Sequence, residues 1–282
     1  MKFKVLFLLL MIPAFAQAGD IMVKKVKEDF SKGLDPYAAY WSQAPEVELS
    51  LMAQPMMKPK PEKPETSQLT VQALHNGNYV AFRLRWKDSE KSEAGKLGQF
   101  SDAVALEFPV KSNENPPSVI MGEPGNPVHM FHWRAQYQYD EEHGKKDVKD
   151  IYPNLAVDAY HMDYADSGKW KGATQDQKEA YMHGMAAGNP QSFAKKAVDE
   201  IMAEGFGSSA VRKDQDSFAK GEWKNGEWTV VISRALKRDK GSVLEEGKSS
   251  SVAFAVWQGG KDEVGSRKAL TLFWTPLKVE GN

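Results

Sequence analysis

The chain has 282 residues, a formal net charge of −1, six histidines and no cysteine. The absence of cysteine excludes disulfides, cysteine-ligated iron–sulfur clusters and the C-x-x-C-H attachment of a c-type haem. A nearly neutral chain with no basic tract is not expected to bind nucleic acid.

The first residues have the pattern of an export signal. Lys2 and Lys4 precede an apolar run from Val5 to Phe15, and the small-x-small sequence Ala16-Gln17-Ala18 follows it. Because the run is too short to span a bilayer, we predict a Sec-type signal peptide over residues 1–18, cleaved after Ala18. We therefore expect an exported, periplasmic protein.

The remaining residues, 19–282, are predicted to form one domain. No later segment approaches the roughly 20 apolar residues that a transmembrane helix requires, so no membrane span is expected. The aromatic-rich segment 35–45 is expected to pack against this domain.

Alternation of apolar and polar residues with period two, typical of half-buried strands, recurs along the chain. In residues 79–86 the even positions are apolar and the odd positions include Arg83 and Arg85. Further strands are predicted over 103–108, 130–139, 227–234, 251–257 and 269–274. Asn-Gly turns within 75–78 and 224–227 indicate hairpins. The fold is therefore predicted to be mostly β, an antiparallel β-sandwich.

From about residue 140 to 204 the chain is polar and predicts a helical insertion between two strands. Thr174 and Gln177 form a capping box that starts one helix. The pair Asn189-Pro190 starts a second helix, which is predicted to end at Gly205. The apolar stripe of this second helix consists of Phe193, Ala197 and Ile201.

Motifs of hydrolytic and nucleotide chemistry are absent from the sequence. There is no G-x-S-x-G nucleophile elbow, no H-E-x-x-H zinc motif, no phosphate-binding loop and no dinucleotide fingerprint. A hydrolase is therefore disfavoured.

The stretch 118–133, SVIMGEPGNPVHMFHW, carries soft sulfur and imidazole on either side of one tight turn. We expect Met121 at the end of a strand, where a thioether suits haem iron but where a lone Met is more often a core residue. The glycines and prolines that follow would let the backbone approach a flat cofactor. Since imidazole is the commonest haem ligand, His129 and His132 are alternative ligands.

Five stretches follow one another in the order found in a known family. They are FSDAVALEFP at 100–109, MGEPGNPV at 121–128, HWRA at 132–135, AFAVWQGG at 253–260, and Lys268 before Trp274. By these motifs the chain resembles the haem b-binding gamma subunits of ethylbenzene dehydrogenase, dimethylsulfide dehydrogenase and the selenate and chlorate reductases. These proteins resemble the cytochrome domain of cellobiose dehydrogenase in fold. The resemblance covers about residues 39–277, apart from the insertion.

The resemblance implies one non-covalent haem b per chain, with a Met and a Lys as axial ligands. The Met corresponds to Met121 and the Lys to Lys268. A Lys ligand must be a neutral amine, so the site has to hold its pKa well below the usual value. Lys213 and Lys220 are rival ligands.

Other residues are expected around the haem. Arg212, beside Lys213, suggests a basic lip for the propionates. The turn that contains Asn126 is expected to shape the pocket wall together with His132 and Trp133, and His132 lines the pocket or bonds a propionate. The histidines of the insertion are expected at the surface: His143, His161 and His183.

The resemblance further implies single-electron transfer without bond-making chemistry. The chain is expected to be a gamma-type subunit beside molybdopterin and iron–sulfur subunits, or a free-standing carrier that exchanges electrons with periplasmic c-type cytochromes. A rival function is a haem-free sandwich module that binds a ligand or carbohydrate. Its binding platform would be exposed aromatics such as Trp41, Trp170 and Trp223.

Overall fold

The computed structural model describes residues 19–93, 98–111, 116–146, 151, 153–154 and 196–281. The predicted signal peptide and most of the predicted insertion lie outside these ranges. So do several residues singled out above: Thr174, Gln177, Asn189, Pro190, Phe193, His161, His183 and Trp170.

The described chain folds into two sheets that share one long strand. The first sheet contains β1 (Ile21–Lys25), β2 (Val47–Ser50), β4 (Gln68–His75), β5 (Tyr79–Lys87), β10 (Phe218–Lys224), β11 (Glu227–Ala235) and β14 (Thr275–Val279). The second sheet contains β3 (Met52–Ala53), β6 (Ala103–Pro109), β7 (Val128–Arg134), β8 (Val198–Ala203), β9 (Ala210–Val211) and β13 (Ala269–Leu270). The shared strand is β12 (Ser249–Trp257). An α-helix, α1 (Ala135–His143), and two short 3₁₀ helices, Ala39–Gln43 and Gly259–Lys261, complete the elements.

The strand order of the first sheet is β10-β11-β5-β4-β1-β14-β12, with β2 also paired to β4. The order of the second sheet is β12-β6-β7-β8-β9, with β13 on β12 and β3 on β13. The strand β1 runs parallel to β4 and β14, and the other pairs are antiparallel. The prediction of a mostly β fold is confirmed.

Large aromatic side chains fill the space between the two sheets. Trp133 of β7 lies 5.0 Å from Trp228 of β11 and 6.4 Å from Trp86 of β5, measured between ring centroids. Phe82 and Phe108 pair across the same core at 5.6 Å. Such pairs add about 0.5–1.5 kcal/mol each to the area that they bury. The two sheets are therefore held face to face, as a sandwich requires.

The predicted Asn-Gly turns are confirmed. Asn225 and Gly226 both have positive φ, 54° and 77°, and they join β10 to β11 as an antiparallel pair. Positive φ at both central residues is the geometry that matches the twist of a hairpin.

The aromatic segment packs as predicted, with a consequence for the rival function. Trp41 is buried against Phe30, and its Nε1 donates to the carbonyl of Asp35 at 3.0 Å. The expectation of an exposed Trp41 is therefore wrong. Trp223 is half-buried, and its Nε1 donates to the carbonyl of Asp88.

Two predicted strands are wrong in their extent. The strand predicted over 130–139 begins at Val128 and ends at Arg134, where α1 starts. The first helical amides find partners outside the helix, because Ala135 N–H donates to the Asp102 carbonyl and Gln136 N–H to Ser101 Oγ. The strand predicted over 269–274 contains only β13, and Phe273 beyond it is exposed.

The second helix of the insertion is wrong where the structure describes it. Residues Val198–Ala203 form β8 and pair with β7, with Ile201 opposite Met130. Pairing with the otherwise free edge of β7 overrides the helical spacing of the apolar residues. The insertion therefore ends before Val198 rather than near residue 204.

Candidate functional site

A cavity of about 530 Å³ lies on the face of the second sheet that points away from the first sheet. Val104 and Leu106 of β6 point into the core, so Ala105 and Glu107 between them point into the cavity. Ala105 is in register with Ala255 of β12, so both alanines lie on the same face of the sheet. Small side chains on this face leave open space above the sheet.

Four loops form the walls of the cavity. The lining residues from these loops are Gln54, Met57 and Lys58 after β3; Val119, Ile120 and Met121 before β7; Phe206, Gly207 and Ser209 between β8 and β9; and Gly265, Ser266 and Lys268 before β13. The first and last of these loops are joined, because Gln54 Nε2 donates to the carbonyl of Ser266 at 3.0 Å. The wall thus consists of segments distant in sequence but tied together.

Met121 lies in a turn. The prediction from the sequence, which placed it at the end of a strand, is wrong. Its φ is +62°, a left-handed conformation that is uncommon outside glycine. The carbonyl of Met121 accepts a hydrogen bond from Gly205 N–H at 2.7 Å. A Cβ at the next residue, Gly122, would approach the carbonyl oxygens of Asn126 and Ala203 to 3.0 and 3.1 Å. The turn is therefore fastened to the end of β8, and this contact fixes the position of Met121.

Lys268 lines the cavity from the loop before β13 and is half-buried. Its Nζ lies 5.0 Å from the ring centroid of Trp257. Burial lowers the pKa of the Lys268 ammonium, and the carboxylate of Glu107 opposes this shift. The cavity therefore favours the neutral amine more than water does.

Glu107 is the carboxylate of the cavity. Burial raises the pKa of Glu107 to about 8, and the charge of Lys268 and the backbone amide of Met121 oppose the shift. Its Oε1 is buried and has no hydrogen-bond partner among the described residues.

His132 lies on the floor and stacks on Trp257, with ring centroids 4.7 Å apart. Its Nδ1 is 3.3 Å from the Arg134 guanidinium, and its Nε2 is buried without a partner in the described part of the chain. Burial, followed by the charges of Arg134 and Lys268, holds the pKa of His132 well below its usual range. The imidazole is therefore neutral near pH 7.

The structure thus brings Met121, Lys268 and His132 to one cavity, and it leaves other predicted residues outside. Asn126 closes the turn instead, where its backbone pairs with that of Glu123. Trp133 points into the core between the sheets, because it is adjacent to His132 on a strand and so faces the other way.

Arg212 is not among the residues that line the cavity. Its guanidinium donates to the carbonyl of Lys240 at 2.8 Å and to Asp214 at 2.9 Å. Those partners hold the side chain away from the cavity, so the structure does not support a propionate lip at this residue.

The rival ligands also lie elsewhere. Lys213 is exposed, and Lys220 forms an ion pair with Glu142 at 2.5 Å. His129 is buried on the core side of β7, with its Nε2 3.5 Å from Glu200. His143 is exposed and stacks on Tyr139.

Sequence reasoning missed Glu107, Arg134 and Trp257 as cavity residues, and it missed the alanine floor. The signal was present in the strands, since small residues alternate with large apolar ones. The small residues are Ala103, Ala105, Ala253 and Ala255, and the large ones are Val104, Leu106, Phe254 and Val256. Such a strand has one face for a core and one face that leaves room for a ligand.

The profile of the family described as ethylbenzene dehydrogenase matches residues 38–269. That range covers the four loops, most of the cavity lining and all of the strands except β1, β14 and the end of β13. The chain belongs to the ethylbenzene dehydrogenase family. The family relationship that the motifs suggested is thereby confirmed.

Three other proteins are each about 25% identical to this chain in sequence. The gamma subunit of chlorate reductase from Ideonella dechloratans is 25% identical, over 86% of this chain and 78% of its own length. The gamma subunit of dimethylsulfide dehydrogenase from Rhodovulum sulfidophilum is 24% identical, over 85% and 73%. A Haloferax mediterranei protein, provisionally named a respiratory nitrate reductase heme subunit, is 25% identical, over 90% and 71%.

Among solved structures, a family 9 carbohydrate-binding module from Caldicellulosiruptor kristjanssonii in complex with glucose is 9% identical to this chain. The match covers 93% of this chain and 96% of the module, with a TM-score of 0.42. Within the described ranges, no helix of this family member is long and apolar enough to cross a membrane. In the same ranges, no three His, Asp or Glu side chains converge into a metal-binding cluster.

Proposed function

We propose that this chain is a haem-bearing electron-transfer subunit. The observation that carries the proposal is the cavity on the small-residue face of the second sheet, which Met121 and Lys268 both line. Membership of the ethylbenzene dehydrogenase family and the names of the gamma and heme subunits among its relatives support it.

The residues around the cavity fit a non-covalent haem b. The alanines of β6 and β12 leave a floor on which a flat ring can lie, and Met121 and Lys268 are proposed to bind the iron. Arg134 and Lys58 line the same cavity and are proposed as partners of the propionates, since guanidinium and ammonium groups neutralise carboxylates. When bound, the haem supplies a centre that accepts and donates one electron at a time.

Each proposed ligand has a physical reason to hold its place. Met121 is fixed by its left-handed turn, and its thioether favours ferrous iron and a high reduction potential. Lys268 has a pKa lowered by burial, so less free energy is needed to bring it to the neutral form that binds a metal. His132 lines the same cavity, its Nε2 has no hydrogen-bond partner among the residues that the structure describes, and it is the alternative to Lys268.

We further propose that the chain performs no bond-making chemistry and that it is exported to the periplasm. Catalysis would take place on a molybdopterin subunit, with iron–sulfur subunits between, or the chain would serve periplasmic c-type cytochromes on its own. The signal pattern of residues 1–18 and the family's gamma subunits motivate these assignments.

Reconstitution tests the proposal. Apoprotein titrated with haemin should turn red at one equivalent, and the pyridine haemochrome should be of the b type and extractable with acidified organic solvent. An unrelated β-sandwich domain should be titrated alongside, to give the level of nonspecific haemin binding. A protein that stays colourless or binds haemin only as loosely as an unrelated sandwich domain would refute the proposal.

The carbohydrate-binding alternative has less support from the described residues. Its platform required exposed aromatic rings, but Trp41 is buried and Trp223 is half-buried with its Nε1 hydrogen-bonded. Isothermal titration with glucose and cello-oligosaccharides should therefore show no binding.

A further inference from the structure

Glu107 is a half-buried carboxyl group of the cavity that none of the assignments above explains. It stands on β6 in register with Ala253 of β12 and Met130 of β7, and it lines the cavity. Its Oε1 is buried without a hydrogen-bond partner among the described residues. A buried oxygen without a hydrogen bond lowers the stability of a fold. We therefore expect Oε1 to gain a hydrogen-bond donor in the cofactor-bound state.

Two groups act on the Glu107 carboxylate, and both belong to the proposed axial ligands. Met121 and Lys268 line the same cavity as Glu107, and the charge of Lys268 and the backbone amide of Met121 both act against the burial that raises the pKa of Glu107. These residues come from two different loops of the cavity wall, before β7 and before β13. Glu107 thus interacts with a residue from each of the two loops that carry the proposed ligands.

An amine that binds a metal through its lone pair keeps two N–H groups. These hydrogens need an acceptor in a cavity that is largely apolar. Glu107 can supply this acceptor in its ionised form, which N–H donors favour against the burial that raises its pKa, because a carboxylate accepts hydrogen bonds at both oxygens. Carboxylates in this position orient metal ligands, and their loss typically reduces metal affinity by 10- to 100-fold.

We propose that Glu107 is a positioning residue for both axial ligands: one carboxylate oxygen accepts the backbone N–H of Met121, and the other accepts an N–H of the iron-bound Lys268 amine. This inference rests on the proposed function. In the haem-bound state, Oε1 would accept a hydrogen bond from the Lys268 amine.

Two substitutions at Glu107 separate positioning from folding. Glu107→Gln keeps the shape but leaves one acceptor oxygen, and its NH₂ group faces the second donor. Glu107→Leu removes the unpaired oxygen, so the haem-free protein should be at least as stable as the wild type. Haem affinity should nevertheless fall about 10- to 100-fold in both variants, with high-spin features appearing in the absorption spectrum.

Glu200→Gln is the matched control. Glu200 is another carboxyl group of the second sheet, but it is fully buried, faces the core and accepts hydrogen bonds from Asp216, Ser217 and Arg238. This variant should be less stable than the wild type, with an unchanged haem spectrum and affinity.

Wild-type affinity and spectrum in Glu107→Gln would overturn the inference while leaving the haem site intact. The inference would also be overturned if Glu107→Leu lost stability in its haem-free form as well as haem affinity. The role of Glu107 would then be structural. Failure of the wild type itself to bind haemin would instead refute the proposed function.

Discussion

Met121 shows what a single residue contributes to this cavity. Its left-handed φ is a strained conformation for a residue other than glycine, on the order of 1–3 kcal/mol, and the hydrogen bond from Gly205 holds it there.

The resemblance to a family predicted Met121 and Lys268 as ligands, because ligand residues stand in short motifs. Glu107 was missed, because a charged residue in an alternating strand is usually on a solvated face. The cavity side of β6 is covered by loops that are distant in sequence, and only the three-dimensional structure shows this.

Replacing Met121 with Ala should remove the soft ligand and leave the fold intact. The low-spin spectrum should give way to a high-spin or water-ligated one, and the reduction potential should fall because thioether favours ferrous iron. Absorption spectroscopy and a redox titration check this. Met130→Ala, which removes a cavity residue that is not proposed as a ligand, serves as the control. A low-spin spectrum in Met121→Ala would contradict the assignment.

At the scale of elements, local signals predicted those parts of the fold that an alternating pattern or a turn motif marks in the sequence itself. The hairpin turns and the alternating strands β5, β6, β11 and β12 are of this kind. Helix α1 and strand β8 were missed for the opposite reason. Their hydrogen-bond partners, Asp102 and Ser101 for α1 and the strand β7 for β8, come from distant parts of the chain.

The turn before β7 offers a test of how the loop holds its ligand. Gly122→Ala should be destabilising by about 2–4 kcal/mol, because a Cβ meets two carbonyl oxygens and the φ is +73°. Gly125→Ala has a φ of +79° but open space around the Cβ, so it should lose only about 1 kcal/mol. Urea unfolding measures both. Equal losses would show that the contact with Asn126 and Ala203 is unimportant.

The alanine floor can be tested by filling it. Ala105→Leu on β6 should place a bulky side chain where the flat ring is proposed to lie, so haem binding should fall at least 10-fold. The haem-free protein should remain folded, since the added atoms enter open space. Met130→Leu, which conserves volume on the same face, should bind haem normally. Unchanged titration of haemin into Ala105→Leu would exclude this face as the binding surface.

On the scale of the whole molecule, a buried charge cluster ties β8 to the loops that follow it. Glu200 accepts backbone hydrogen bonds from Asp216 and Ser217 and lies 3.2 Å from the Arg238 guanidinium. His129, whose Nε2 lies 3.5 Å from the carboxylate, comes first among the groups that lower the pKa of Glu200 to about 2, against the effect of burial. A carboxyl group with a lowered pKa in the folded state stabilises the protein above its unfolded pKa and loses this contribution as the pH falls.

Glu200→Gln should therefore unfold more easily at pH 7 than the wild type, by about 3 kcal/mol from the lowered pKa. The difference should shrink as the pH falls from about 4.5 to 2, because the wild-type carboxylate is protonated over that interval. Urea unfolding of both proteins across this pH range measures it. A difference that is constant with pH would show that the charge of Glu200 does not contribute.

The most direct test of the haem site compares Lys268→Ala with His132→Ala. Both side chains line the cavity next to Trp257, so either change perturbs the same region. The measurement is the absorption spectrum of each haemin-reconstituted protein beside that of the wild type. We predict that Lys268→Ala becomes high-spin and that His132→Ala stays low-spin. A low-spin Lys268→Ala together with a high-spin His132→Ala would show that the axial pair is Met and His, and would contradict the assignment of Lys268.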